Sequence, residues 1–187
     1  MSRSKTISDE HLLDRLLTAV MEHGPSALSF ARASETTGLA AATLVQRFGT
    51  RAKMVEAILL RAWDRLDEAT AAADAAASPD PAGAITLLLR LTNSGAAEDD
   101  FTDGLLLLRE DIRNPVLRAR GAAWGAYLAD ALGRRLCDKP TRATELGWQM
   151  ASLWQGVLMW WAFQRDAGPE VKVQEALEDW CRSVGVR

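Results

Sequence analysis

Cysteine is scarce in this chain. The two residues present, Cys137 and Cys181, stand far apart. Such a pair suits a reducing, cytoplasmic setting better than a disulfide framework. Histidine is as rare: His11 and His23 have no cluster of other ligand-type side chains beside them, so neither a metal nor another cofactor is expected. Runs of β-branched residues alternating with polar ones are missing, and so are hairpin dipeptides, which argues against a sheet. The longest apolar run, GVLMWWAF at 156–163, is too short to span a bilayer, and the opening MSRSKTISDEH lacks the apolar core of a signal peptide, so no membrane partner is expected. There is no serine elbow, no glycine-rich phosphate loop, no histidine near either cysteine, and no Glu-x-x-His pair on an inner helix face. An enzyme is therefore not expected.

What the chain does have is helical periodicity over most of its 187 residues, with 48% hydrophobic content to fill a core. A first helix is expected from Ser8, where Ile7 and Leu12 have the spacing of a hydrophobic staple. It carries the stripe Leu12, Leu13, Leu16, Leu17 and Val20, and Gly24-Pro25 stops it. Two short helices follow, about Ser29–Thr37 and Ala40–Phe48, ended by Gly38 and Gly49. A long fourth helix, opened by Thr50, runs from Arg51 to about Ala77. Further helices are expected over Gly83–Ala97, Phe101–Arg113, Pro115–Cys137, Pro140–Arg165 and from Pro169 onward. The sixth should turn Phe101, Leu105, Leu108 and Ile112 inward; the seventh Leu117, Gly121, Trp124, Leu128 and Ala131; the ninth Val173, Ala176, Leu177, Trp180 and Val184. The fold class is all-α, with about nine helices divided into a three-helix head (1–50) and a helical bundle (51–187).

Charge divides along the same line. The overall charge is −3, yet residues 1–53 carry seven Lys and Arg against five Asp and Glu, a local +2, while the remainder carries fifteen against twenty, a local −5. A mildly basic head on an acidic body points to an anionic partner for the head alone.

Two short helices joined at a glycine, with an amphipathic helix before them, form the pattern of a helix-turn-helix. Leu44 and Phe48 are four residues apart and point together into the support, so Thr43, Gln46 and Arg47 lie on other faces. The small Ala40, Ala41 and Ala42 let the start of that helix enter a groove closely. Arg and Gln are side chains that read guanine and adenine edges in the major groove. Phosphate contacts are expected from Ser29, Arg32, Arg51 and Lys53, with Arg3 and Lys5 as a loose arm. On this reading Arg47→Ala weakens binding to DNA, and Arg51→Ala also flattens its salt dependence. The plainer alternative is that Gln46 and Arg47 form an ordinary solvated face.

The frame Gly38, Leu39, Thr43, Leu44, Phe48, Thr50, Arg51 and Met54 resembles the tetracycline-repressor (TetR) family of bacterial transcription regulators, with a match that covers residues 7 to 60. The resemblance implies a double-stranded DNA operator as partner, an effector-binding body, dimerisation and, by default, repression. The chain departs from the family at four positions. Ala40 replaces the usual capping serine, Val45 the aromatic that touches a phosphate, Arg51 the lysine that opens the fourth helix, and Ala33 a large aliphatic. These departures favour the rival reading, a helical ligand-binding or scaffold protein whose head no longer reads DNA.

In the body, the eighth helix is apolar nearly all round. Leu146, Met150, Leu153, Val157, Trp160 and Trp161 share one side of its wheel, and Trp148, Ser152, Gln155 and Met159 the other. A helix with two apolar faces needs two covers, and a second copy of the chain is the natural second cover, giving a homodimer through helices eight and nine and a near-palindromic operator. Trp124, Tyr127, Trp148, Ser152, Gln155 and Met159 are candidates to line a pocket for a small, largely apolar or aromatic effector. Arg109, Glu110, Asp111 and Arg113 are expected to form a solvated ladder. The long fourth helix would couple an effector bound in the body to the head.

Overall fold

In the computed structural model, residues 8–93 and 107–186 are described. Arg3, Lys5, Ile7, Phe101, Leu105 and the expected end of the fifth helix at Ala97 lie outside that range. The described residues form nine α-helices and one 3₁₀ turn, with no strand: α1 (Asp9–His23), the turn Pro25–Ala27, α2 (Phe30–Thr37), α3 (Ala41–Phe48), α4 (Arg51–Ala76), α5 (Pro81–Asn93), α6 (107–113), α7 (Pro115–Leu136), α8 (Pro140–Gln164) and α9 (Pro169–Val184). The all-α class and the element order agree with the pattern in the sequence.

Local chemistry explains the ends. Ser8 caps α1, its hydroxyl accepting from the His11 amide at 3.3 Å, while Asp9 and Glu10 occupy the positive end of the helix. Thr50 caps α4 through the Lys53 amide at 3.2 Å. The fifth helix starts at Pro81 rather than Gly83, because Asp80 caps it: its carboxylate accepts from the Gly83 amide at 2.8 Å and from the Ser78 hydroxyl at 2.6 Å. Proline at the first helical position gives up no hydrogen bond there.

The chain divides into two compact units. One comprises α1–α3, α4 to Arg65, α6, and α7 to Arg120; the other comprises α4 from Leu66, α5, α7 from Gly121, α8 and α9. The first unit thus extends beyond the three-helix head of residues 1–50. Its core gathers Leu12, Leu16 and Val20 of α1, Ala33 of α2, Leu44 of α3, Met54, Ile58 and Leu59 of α4, Leu107 of α6 and Leu117 of α7. The stripe of α1 follows the i, i+4, i+8 spacing of one helix face. The sixth helix is rotated from its expected phase: Leu107 is buried, whereas Leu108 and Ile112 are exposed. Four consecutive leucines, 105–108, give a pattern that fits several rotations equally well.

In the second unit, α9 packs on α8 and on α5. Helices α7 and α8 approach so closely that a Cβ on Gly147 would sit 1.9 Å from the Ala129 carbonyl oxygen, a position only glycine can fill. Two buried tryptophans find partners by the same device. The Trp124 indole donates to the Thr70 hydroxyl at 3.0 Å and Trp154 to Thr92 at 2.9 Å, and each hydroxyl in turn donates a hydrogen bond to the carbonyl four residues back. The phase of α8 also differs from the wheel drawn on the sequence. Leu146, Met150, Trp154, Leu158 and Trp161 are buried, Leu153 and Val157 are half-buried, and Trp160 is 67% exposed. A helix without a polar side carries no mark of which face turns inward.

Arg135 fastens the C-terminal end of α4. All five of its N–H groups find acceptors: the Asp74 carboxylate (2.6 Å) and the backbone carbonyls of Ala131, Asp74, Ala77 and Ser78. One buried guanidinium thus serves carbonyls at and just beyond the end of α4. Arg134 and the Tyr127 hydroxyl also donate to Asp74. Burial raises the Asp74 pKa, but the two arginines outweigh it and hold the carboxyl below its ordinary range. No described helix is long and apolar enough to cross a membrane.

Candidate nucleic-acid interface

The turn between α2 and α3 is held by side chains aimed at the backbone. Gly38 adopts φ 75°, ψ 5°, the left-handed conformation that lets the chain reverse after α2. The Thr37 hydroxyl donates to the Ala33 carbonyl at 2.7 Å and accepts from the Leu39 amide at 3.3 Å, while the Ser34 hydroxyl donates to the Leu39 carbonyl at 2.6 Å. From α1, Arg15 donates to the carbonyls of Thr36 and Thr37, the second at 3.1 Å. Three side chains thereby fix where α3 begins.

Leu44 is fully buried and Ala41 and Phe48 are half-buried, so α3 rests on the core along one side. Ala42, Thr43, Val45, Gln46 and Arg47 are exposed. By the helical repeat, Gln46 lies near the middle of the outward face, with Ala42 and Val45 toward one edge and Thr43 and Arg47 toward the other. Ala40 stands at the N-cap with no side-chain hydrogen bond.

The expected contact residues differ in what already holds them. Among the described residues, Thr43, Gln46 and Arg32 have no side-chain partner, whereas Arg47 makes an ion pair with Asp9 at the start of α1. Ser29 is engaged as the cap of α2, accepting from the Arg32 amide at 3.2 Å. Lys53 pairs with Glu56 at 2.6 Å. Arg51 points back into its own unit, where Nε donates to the Leu28 carbonyl and Nη2 to those of Pro25 (2.6 Å) and Ser26 (3.1 Å). It clamps the 3₁₀ turn, so most of its donors are committed to the fold rather than offered outward.

Sequence reasoning missed the acids that organise these cations. Asp14 accepts from Arg61 at 2.8 Å and lies 3.1 Å from Arg65; the Arg61 hydrogen bond, with both charges, holds its carboxyl below the usual range. Glu56 takes Asn114 Nδ2 on one oxygen (2.8 Å) and Lys53 on the other, and these bonds lower its pKa, Asn114 first. Asp111, expected in a solvated ladder, accepts from the Trp63 indole at 3.1 Å, and burial pushes its carboxyl up. Partners 47 to 58 positions away leave no local signal.

Among the described residues, the six expected to line an effector pocket differ in where they lie. Trp124 is buried, with its indole spent on Thr70; Tyr127 is exposed and its hydroxyl donates to Asp74 at 3.2 Å. Trp148, Ser152, Gln155 and Met159 are exposed along α8. Of the six, only Ser152 borders the groove of about 560 Å³ between α8 and α9, whose other walls include Gly156, Trp160, Lys172, Glu175 and Asp179. Beside it, Trp160 and Phe163 (77% exposed) place their rings 6.0 Å apart.

No family model matches the sequence, and no curated protein matches it. Solved structures do. A TetR-family transcriptional regulator from Thermus thermophilus superposes with a TM-score of 0.61 at 19% identity, over 89% of this chain and 94% of its own. A protein described as a transcriptional regulator of Streptomyces coelicolor gives 0.69 at 17% identity, over 89% and 94%. One from Saccharomonospora viridis, solved in complex with choline, gives 0.68 at 16%, over 91% and 93%. The chain therefore has the fold of TetR-family regulators along most of its length.

Proposed function

We propose that this protein is a DNA-binding transcriptional regulator that presents α3 to the major groove. The observation that carries the reading is the division of α3 itself. Leu44 is its one fully buried side chain, and Thr43, Gln46 and Arg47 are exposed on a helix held by hydrogen bonds from α1 and α2. The fold supports it. In the groove, Gln46 and Arg47 offer donors and acceptors to base edges, while Thr43, Arg32, Lys53 and the α2 end near Ser29 face phosphates. Arg51 contributes mainly by holding the turn in front of α2.

The test is selection of a binding site from a random-sequence duplex library, followed by fluorescence titration at several salt concentrations. Gln46→Ala is expected to lose discrimination at a base pair, by about ten-fold, with the salt slope unchanged. Lys53→Ala is expected to weaken all sequences evenly and lower the slope by about one. A wild-type protein that selects no sequence would sink the reading.

The exposed apolar side of α8, with Trp160 and Phe163 beside the α8–α9 groove, supports a homodimer through these two helices. A two-fold dimer would ask for a near-palindromic operator. Release from the operator by a small, largely apolar effector belongs to the same proposal, as does repression. The choline complex of the Saccharomonospora protein supports a search for one. An effector can shift DNA affinity only by its differential affinity for the two states.

A further inference from the structure

We infer that Val45 reads the 5-methyl group of a thymine, so that the binding site of this protein includes a thymine selected for its methyl rather than for its hydrogen-bonding edge. The inference rests on the DNA-binding reading above and goes beyond it by naming the chemistry of one base.

Among the described residues of α1, α2 and α3, Val45 is the only large hydrophobic side chain that is exposed, at 43%. Isolated exposed aliphatics are ordinary on protein surfaces. This one lies toward one edge of the outward face of α3, in the i, i+3 relation to exposed Ala42 and next in sequence to Gln46. If Gln46 enters a groove, Val45 and Ala42 are carried out of water with it. Valine has neither donor nor acceptor, so it cannot bond a phosphate or a base edge, and leaving it against a polar edge would strand that edge without its water. The floor of the major groove carries one apolar substituent, the thymine C5-methyl. An aliphatic patch of Val45 with the Ala42 methyl matches it in size and polarity. The stiff β-branched side chain gives up little rotamer freedom on contact. The absence of a larger residue at position 42 leaves room for the approach.

The experiment uses the full chain and the duplex selected from the random library. Each thymine of that duplex is replaced in turn by deoxyuridine, which deletes the methyl and leaves the hydrogen-bonding edge intact. For the wild type, one replacement is expected to weaken binding about four-fold, equivalent to ~0.8 kcal/mol for one buried carbon. For Val45→Ala, an exposed substitution that favours the helix, the penalty at that same thymine is expected to fall below two-fold. Equal wild-type affinity for every deoxyuridine duplex would overturn the inference and leave the DNA-binding reading standing. So would an undiminished penalty in Val45→Ala. A wild type that selects no duplex would overturn both.

Discussion

The two units bind their own backbones alike and face outward differently. In each, an arginine donates to backbone carbonyls: Arg15 and Arg51 around α2 in the first, Arg135 at the end of α4 in the second. The first pair is exposed, whereas Arg135 is buried and carries a carboxylate with it. Outward, α3 offers mostly polar groups with a single valine, while α8 offers Trp148, Met159 and Trp160, and Phe163 at its end. A face that keeps hydrogen-bonding groups unspent suits a polar partner such as the edge of a duplex. A face of large aromatics suits another protein surface.

The clamp of the second unit is the place where breaking the comparison should cost most. Arg135→Met removes the donor that serves the carbonyls at the end of α4 and leaves Asp74 with Arg134 and the Tyr127 hydroxyl. A loss of about 3–5 kcal/mol is expected in urea unfolding. The same site sets a pH dependence. Because the folded-state pKa of Asp74 is depressed, its contribution is fully present above the ordinary carboxylate range and disappears as pH falls through the depressed value. Asp74→Asn should therefore flatten the acid limb of the stability curve, and an unchanged limb would assign acid sensitivity elsewhere.

The aromatic face comes next. On the proposed homodimer, the double substitution Trp160→Ser with Phe163→Ser is expected to raise the dissociation constant by at least about thirty-fold, the scale of losing one interface anchor. Sedimentation velocity reads it, and an unchanged dimer would move the interface off this end of α8. The smallest effect sharpens the description of α3. Since Ala40 supplies no side-chain hydrogen bond, Ala40→Ser is expected to stabilise the fold by ~1 kcal/mol by capping the helix. A neutral result would mean that the bonds from Arg15, Ser34 and Thr37 already fix that end.

Most of the head was legible. Gly38, Gly49 and the Leu44–Phe48 spacing identified α3 and its outward row from local pattern alone. Arg51 was not legible, because a cation that opens a helix reads the same whether it faces solvent or turns back to the carbonyls of residues 25, 26 and 28. In the body, the apolar length of α8 was evident but its rotation was not, and the four pocket candidates on that helix inherited the ambiguity.

By itself the sequence determined where most of the described helices begin and end, because caps, prolines and glycines act on the few residues beside them. It also determined which short helix carries polar side chains on the face opposite its core contacts. Only the tertiary structure decided which face of an almost wholly apolar helix turns inward, and which acid holds which arginine. Those choices depend on groups that meet through folding, as Asp74 and Arg135 do across 61 positions. A chain carries no local mark of a neighbour it has yet to reach.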